Sequence, residues 1–152
     1  MPQLSFVAVT ALVAMSLFAC AGKRPSTLGV SDGRLAACPS SPNCASSDAS
    51  DATHGVAPFE LAVPAAQAWP VVREAVAELP RTRIVADVDG YLHAECRSAL
   101  LGFVDDLELQ LRASERQIAV RSASRLGHSD LGVNRRRVET LRAALAARGL
   151  LR

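Results

Sequence analysis

The stretch that decides the fold is residues 83–98, which read RIVADVDGYLHAECRS. Two strand-like runs, Arg83–Val88 and Tyr91–Ser98, flank the dipeptide Asp89-Gly90. An Asp-Gly pair between two such runs is typical of a two-residue turn in a β-hairpin. We therefore expect an antiparallel strand pair at this point of the chain.

Two more strands are predicted after this hairpin, at Phe103–Arg112 and Gln117–Ser124. A short strand is predicted before it, where Phe59, Leu61 and Val63 alternate with other residues. Because the connections between consecutive strands are short, the strands should pair antiparallel.

Two helices complete the predicted domain. The first ends at Pro80 and has apolar residues at helical spacing, namely Trp69, Val72, Val76 and Leu79. The second runs from about Asn134 to Arg148 and stops at Gly149. The predicted fold class is α+β, an antiparallel sheet of four to five strands with two helices packed on one face.

Composition sets further limits. The chain has 152 residues, of which 49% are hydrophobic and 21% charged, so it fits one domain with a real core and not a disordered chain. Its 17 basic and 15 acidic residues give a net charge of +2. A nucleic-acid-binding protein would normally show a larger basic excess, so we expect no nucleic-acid partner.

The N-terminus predicts an address. An uncharged apolar run, Leu4–Ala19, is the right length for a signal peptide and short for a transmembrane helix. It leads into Leu17-Phe18-Ala19-Cys20, which resembles a bacterial lipobox. We expect residues 1–19 to be a signal peptide and Cys20 to carry acyl chains such as palmitate. A simply secreted protein and an uncleaved anchor remain the alternatives.

The residues after Cys20 are rich in turn formers. Residues 20–37 contain Gly, Pro and Ser without periodicity, so we expect a flexible, lipid-anchored tether. A single domain over residues 38–152 should follow it. The predicted location is the cell envelope of a bacterium, with the domain held on the membrane and facing the periplasm.

Two cysteines bracket a short turn-forming stretch. Cys38 and Cys44 enclose Pro-Ser-Ser-Pro-Asn, which favours a turn and, in an oxidising compartment, a disulfide. A metal or redox site with His54 is the alternative, although no second cysteine pair is present. Cys96 lies in a strand pattern and should be a buried free thiol. Since the three histidines lack metal-ligand spacing, we expect no metal and no cofactor.

Polar residues interrupt the predicted inner face of the sheet. Strand alternation places Asp105 with Leu107 and Leu109, and it places Ser122 and Ser124 after Ile118 and Val120. The same alternation turns Asp106, Glu108, Arg121 and Arg125 to the opposite face. An unpaired carboxylate at Asp105 would be costly, so it should find donors or a cation.

Three arginines crowd the start of the last helix, at Asn134-Arg135-Arg136-Arg137. Cations are unfavourable at a helix N-terminus, so negative charge should lie nearby. It could come from the protein itself, through Asp105, Asp106, Asp130 or Glu139. It could come from a bound phosphate or carboxylate. An earlier helix start, capped by Asp130, would instead move the arginines out of the first turn.

Five unusual strings follow one another along the chain. They are CPSSPNC at 38–44, YLHAE at 91–95, FVDDLE at 103–108, VRSASRLG at 120–127 and SDLGVNRRRVE at 129–139. In this order they resemble the domain of unknown function 1499 family of bacteria and plastids. The chain departs from the family pattern at Gly102 and His128. The resemblance implies the fold and an envelope location, and it implies no established activity.

These observations predict a membrane-anchored envelope lipoprotein with a non-enzymatic binding or scaffolding domain. The candidate site is an Arg/Asp seam that would hold an anion or form a structural network, made of Asp105, Arg121, Arg125, Asp130, Asn134, Arg135 and Arg137. The alternative is a hydrolase or anion-binding protein acting on an anionic envelope substrate there. A carrier of apolar ligands is a third hypothesis. An envelope protein is a further possible partner, and the sequence does not predict the oligomeric state.

Overall fold

The structure is a computed structural model, and it describes residues 21–152. The predicted signal peptide, residues 1–19, and the predicted acylation site Cys20 lie outside the described residues. Among the residues described, neither helix is long and apolar enough to cross a membrane.

The described chain forms one main sheet and a small hairpin. The hairpin pairs β1 (Val30–Ser31) with β2 (Arg34–Leu35). The main sheet has six strands, namely β3 (Cys44–Ser46), β4 (Phe59–Glu60), β5 (Thr82–Val88), β6 (Tyr91–Arg97), β7 (Val104–Arg112) and β8 (Gln117–Ser124). They pair antiparallel in the order β3-β8-β7-β6-β5, and β4 also pairs with β8.

The hairpin that decides the fold is formed as predicted. Asp89 and Gly90 have φ angles of 50° and 75°. Positive φ at both positions is what a type I′ turn requires, and this turn matches the twist of two paired strands. It sets the register that pairs Val88 with Tyr91.

Two helices cover one face of the sheet, here called the inner face. Helix α1 spans Ala65–Ala77 and α2 spans Val133–Ala147. Their buried apolar residues form one core with the inward side chains of β6, β7 and β8, including Val72, Val76, Leu92, Leu107, Leu109, Ile118, Val120, Val138, Leu141 and Leu145. The predicted α+β class is confirmed, with one strand more than expected because the short β3 joins the edge at β8.

The opposite face, here called the outer face, is covered by the N-terminal strap, residues 21–37. Leu35 is buried, and the Gly29 N–H donates to Glu108 Oε1 at 2.8 Å. Arg24 Nη2 lies 2.8 Å from Glu95 Oε1. The expectation of a flexible tether is therefore wrong for residues 21–37, because polar groups of the outer face bind this segment along its length.

Candidate functional site

The inner-face cluster joins β7, β8 and the first turns of α2. Arg137 Nη2 lies 2.7 Å from Asp105 Oδ2, and both side chains are largely buried. Arg137 Nη1 also donates to Ser122 Oγ at 2.9 Å and to Asn134 Oδ1 at 2.7 Å. The inward Asp105 thus has its cation, as strand alternation required. The guanidinium uses its donors on groups of the protein itself.

Asn134 is fully buried at the centre of this cluster. Its Nδ2 donates to the Asn43 carbonyl, to Ser124 Oγ and to Asp130 Oδ2, at 3.1, 2.9 and 2.9 Å. Its Oδ1 accepts a hydrogen bond from the Ser122 hydroxyl at 2.6 Å. Because a buried amide must satisfy every polar atom, this arrangement fixes how α2 docks on the sheet.

Asp130 lies just before the N-terminal end of α2. Its carboxylate accepts hydrogen bonds from the backbone N–H groups of Gly132 and Asn134, at 2.9 and 2.7 Å. Burial alone would raise the pKa of Asp130, but these hydrogen bonds outweigh it and hold the pKa below its usual value. The helix begins at Val133 with Gly132 as its N-cap, so Arg135 and Arg136 still lie in the first turn, and the early-start hypothesis with Asp130 as the cap is wrong. Asp130 precedes the cap and supplies negative charge at this end of the helix.

The other two arginines of the triplet, Arg135 and Arg136, bind backbone carbonyl oxygens. Arg135 donates to the carbonyls of Gly55 and Thr53, at 2.9 and 3.0 Å, and Arg136 donates to the Leu131 carbonyl at 2.8 Å. Of the three arginines, only Arg137 pairs with a carboxylate of the sheet. The internal network is therefore made partly of backbone carbonyl oxygens, which the charge pattern did not indicate.

A second cluster lies on the outer face beneath the strap. Glu108 is fully buried and accepts hydrogen bonds from Tyr91 Oη, Arg121 Nη1 and the Gly29 N–H, at 2.9, 2.9 and 2.8 Å. Burial, together with the charge of Glu108, raises the pKa of Tyr91 well above its usual value. Tyr91 is thus held as a neutral donor, and the carboxylate as its acceptor.

The same face carries a chain of ion pairs built around Arg125. Arg125 bridges Asp106 and Glu95, with Nη2 at 2.7 and 2.8 Å from their oxygens, and His93 Nε2 lies 2.7 Å from Asp106 Oδ1. Burial would raise the pKa of Asp106, but hydrogen bonds from Arg125 and His93 hold it below its usual value. Burial opposes ionisation of Glu95 too, yet hydrogen bonds from Arg24, Arg125 and Arg83 lower its pKa to about 2.

The predicted seam is split between the two faces of the sheet. Asp105, Asp130, Asn134 and Arg137 come together on the inner face. Arg121 and Arg125 project from the outer face, paired with Glu108 and with Asp106 and Glu95. Arg135 turns to the carbonyls of the 53–55 loop. Because neighbouring residues of a strand alternate between faces, the residues predicted to form one anion-binding or structural seam lie in separate clusters.

Glu95, Glu108, Tyr91 and His93 are cluster members that the sequence interpretation did not select. The signal was available in the alternation of β6, which turns Tyr91, His93 and Glu95 to the same side as Asp106 and Glu108.

The three cysteines among the described residues behave as predicted. Cys38 and Cys44 form a disulfide with a Cα–Cα distance of 5.7 Å, and Cys96 is a buried free thiol. Burial raises the pKa of the Cys96 thiol, which favours its neutral form. Between residues 21 and 152 no group of three or more histidine, cysteine or acidic side chains is arranged to hold a metal ion.

An open cavity of about 250 Å³ lies where β5 and β6 approach the start of α2. Four arginines line it, Arg81, Arg97, Arg136 and Arg137, together with Thr82, Val133 and Thr140. A second hollow of about 180 Å³ adjoins it at Val133 and reaches Phe103 and Leu126. The carboxylates of the two clusters are paired with arginines of the protein, whereas this end of the sheet carries two open hollows.

Residues 34–145 match the family described as "Protein of unknown function (DUF1499)", and the chain belongs to that family. The matched range covers most of the chain, from β2 to near the end of α2. Neither a curated protein nor a solved structure matches the chain.

Proposed function

We propose that this protein is a lipid-anchored lipoprotein of the bacterial cell envelope whose domain is a non-enzymatic binding or scaffolding module. A non-enzymatic module is supported by one observation: the charged groups of the clusters pair with one another. Asp105 and Arg137 meet at 2.7 Å, and Arg125 lies between Asp106 and Glu95. Groups tied in this way serve as clasps between elements, because their charges are already paired within the protein.

The first part of the proposal is supported by the sequence around Cys20 and by the cysteine chemistry of the domain. The apolar run Leu4–Ala19 ends directly before Cys20. The Cys38–Cys44 disulfide suits an oxidising compartment outside the cytoplasm. Several acyl chains hold a protein firmly on a membrane, since each buried methylene contributes about 0.8 kcal/mol.

The test is the intact mass of the full chain extracted from the membranes of a bacterial host. We expect cleavage before Cys20 and a mass increase from acyl chains on that residue. Cys20→Ser should abolish both. An unmodified chain released into the periplasm would remove the lipid anchor from this account and leave a secreted protein.

The alternative function is binding of an anionic envelope compound, and the arginine-lined cavity favours it. Four guanidinium groups face a space of about 250 Å³, which is sufficient for a phosphate or carboxylate group. Isothermal titration with inorganic phosphate would test this alternative. Heat that disappears in Arg97→Gln and Arg136→Gln would support it, and no heat in the unsubstituted protein would reject it.

A further inference from the structure

The chain enters the domain at the end of the sheet where β8 finishes. Gly22 lies so close to β8 that a Cβ placed on it would be 2.9 Å from Arg125 Cβ and 3.0 Å from Leu126 Cγ. Only Ala21 separates Gly22 from Cys20. Two residues span at most about 7 Å, so an acyl group on Cys20 would hold this end of the domain near the bilayer surface.

The same end carries most of the exposed large apolar side chains. In residues 21–152 there are eight, and six of them lie in the β6–β7 connection, in the β8–α2 connection or at the first residue of α2. Leu100 is 95% exposed and Leu131 is 84% exposed. We call this group the apolar rim; it consists of Leu100, Leu101, Phe103, Leu126, Leu131 and Val133.

Positive charge borders the apolar rim. The cavity lined by Arg81, Arg97, Arg136 and Arg137 shares Val133 with the rim, and no acidic side chain lines that cavity in the part of the chain described. Arg137 is paired with Asp105, and Arg97 lies 3.8 Å from Glu95. Arg81 and Arg136 use donors on backbone carbonyls, which leaves their charge uncompensated. Apolar side chains beside arginines match the boundary between acyl chains and anionic headgroups.

We propose that the apolar rim lies in the interface of an anionic phospholipid bilayer, with the phosphates of headgroups at the arginine-lined cavity. The proposal rests on the proposed lipid anchor, which would attach the chain two residues before Gly22, the residue that lies against Leu126. A bilayer is favoured over a protein partner because the path of the chain brings the rim to the membrane. The acyl chains then need to supply affinity only, while the rim sets the orientation of the domain.

The test uses the full chain, purified from membranes with its attached lipid and reconstituted on vesicles. The vesicles contain phosphatidylglycerol and phosphatidylcholine, with bromine atoms on the acyl chains as a quencher of tryptophan fluorescence. Leu101→Trp reports on the rim. Val88→Trp is the matched control, because Val88 is also exposed but lies at the hairpin on the opposite end of β6. Trp69 is common to both variants.

Interfacial apolar side chains lie about 5–10 Å inside the headgroup boundary, so we expect roughly twofold quenching of the added signal in Leu101→Trp and almost none in Val88→Trp. Replacing phosphatidylglycerol by phosphatidylcholine should reduce the quenching. Arg97→Gln with Arg136→Gln should have the same effect, and Arg73→Gln on α1 should not. If neither the lipid replacement nor the arginine substitutions reduce the quenching, the proposed binding of headgroup phosphates by the arginines is rejected.

The mass of the same sample separates this proposal from the anchor on which it rests. If Cys20 carries acyl chains and quenching is equal at both positions, the lipid anchor is supported and the insertion of the apolar rim is rejected. Quenching confined to Leu101→Trp without acyl chains would keep the rim and remove the anchor. A Leu101→Trp signal shielded from the quencher in cross-linked dimers would assign the rim to a second copy of the chain and overturn the proposal.

Discussion

Glu108 shows how a single buried carboxylate can organise this protein. It is fully buried on the outer face, and three donors from three different segments reach it. Arg121 supplies the neutralising charge, Tyr91 ties β6 to it, and Gly29 brings the strap down onto the sheet. A charge at this depth is tolerated only because each of these partners is in place.

Glu108→Gln should therefore lower the free energy of unfolding by about 3–5 kcal/mol, since it leaves the Arg121 guanidinium buried without its counter-charge. Urea denaturation followed by circular dichroism measures this change. Glu139→Gln is the matched control, because Glu139 is half exposed and pairs only with Arg142 on the same helix. That control should cost less than about 1 kcal/mol. Equal losses in the two variants would contradict a structural role for Glu108.

At the residue scale the sequence predicted that Asp105 points inward and needs a cation, because alternation along a strand is a local property. It also indicated that Arg121 and Arg125 point outward. It could not indicate that Arg135 would choose the carbonyls of Thr53 and Gly55, which lie 82 and 80 residues away in sequence. Contacts with irregular loops leave no periodic signal.

At the element scale, the strap is the part of the structure that most changes the functional interpretation. It covers ion pairs that would otherwise lie exposed on the outer face, and its anchor is Leu35, the one residue of β1 and β2 that is buried. Asp48 supports it, since its carboxylate accepts the Leu35 N–H and binds Arg112 through both oxygens. The strap is therefore part of the domain.

Leu35→Ala should loosen the strap without unfolding the sheet. Removal of a buried leucine side chain costs about 2–5 kcal/mol. Since about 1.4 kcal/mol changes an equilibrium constant tenfold, the population with an open strap should rise roughly 30-fold or more. Tryptic cleavage after Arg34 should become faster by the same factor. Val30→Ala in the same strap is the control, because Val30 is exposed. The account fails if Leu35→Ala leaves the cleavage rate at that of the control.

The strap escaped prediction for a physical reason. Its residues are Gly-, Pro- and Ser-rich, which is typical of linkers, and its only regular structure is one pair of strands of two residues each. What holds it are Glu95, Glu108 and Asp48, whose side chains reach Arg24, Gly29 and Leu35 from distant parts of the chain. The strands and helices were predictable because their apolar periodicity is continuous along the sequence.

At the scale of the whole molecule, the charges are sorted onto the two faces of one sheet. The inner cluster fixes α2 through Asp105 and Arg137, and the outer clusters fix the strap through Glu95 and Glu108. The end of the sheet at the β6–β7 and β8–α2 connections exposes large apolar side chains. This division assigns stability to the two faces and leaves one end of the sheet for the membrane contact that we propose.

The stability of the whole domain should depend on acid through Glu95. Its pKa is about 2 in the folded state and 4.5 in the reference state. The stabilisation from ionised Glu95 is thus fully present above pH 4.5 and is lost as the pH falls toward about 2. Melting temperatures measured across this range should fall, and Glu95→Gln should melt lower at neutral pH with a smaller decline in acid. Parallel curves for the two proteins would contradict the assignment to Glu95.

The charged residues beside the last helix form a clasp between α2 and the sheet. The most direct measurement is a double-mutant cycle of unfolding free energies with Asp105→Asn, Arg137→Gln and both changes together. We expect a coupling energy of roughly 1–3 kcal/mol between the two side chains, because they meet at 2.7 Å in a buried cluster. Losses that simply add, with coupling within about 0.3–0.5 kcal/mol of zero, would contradict it.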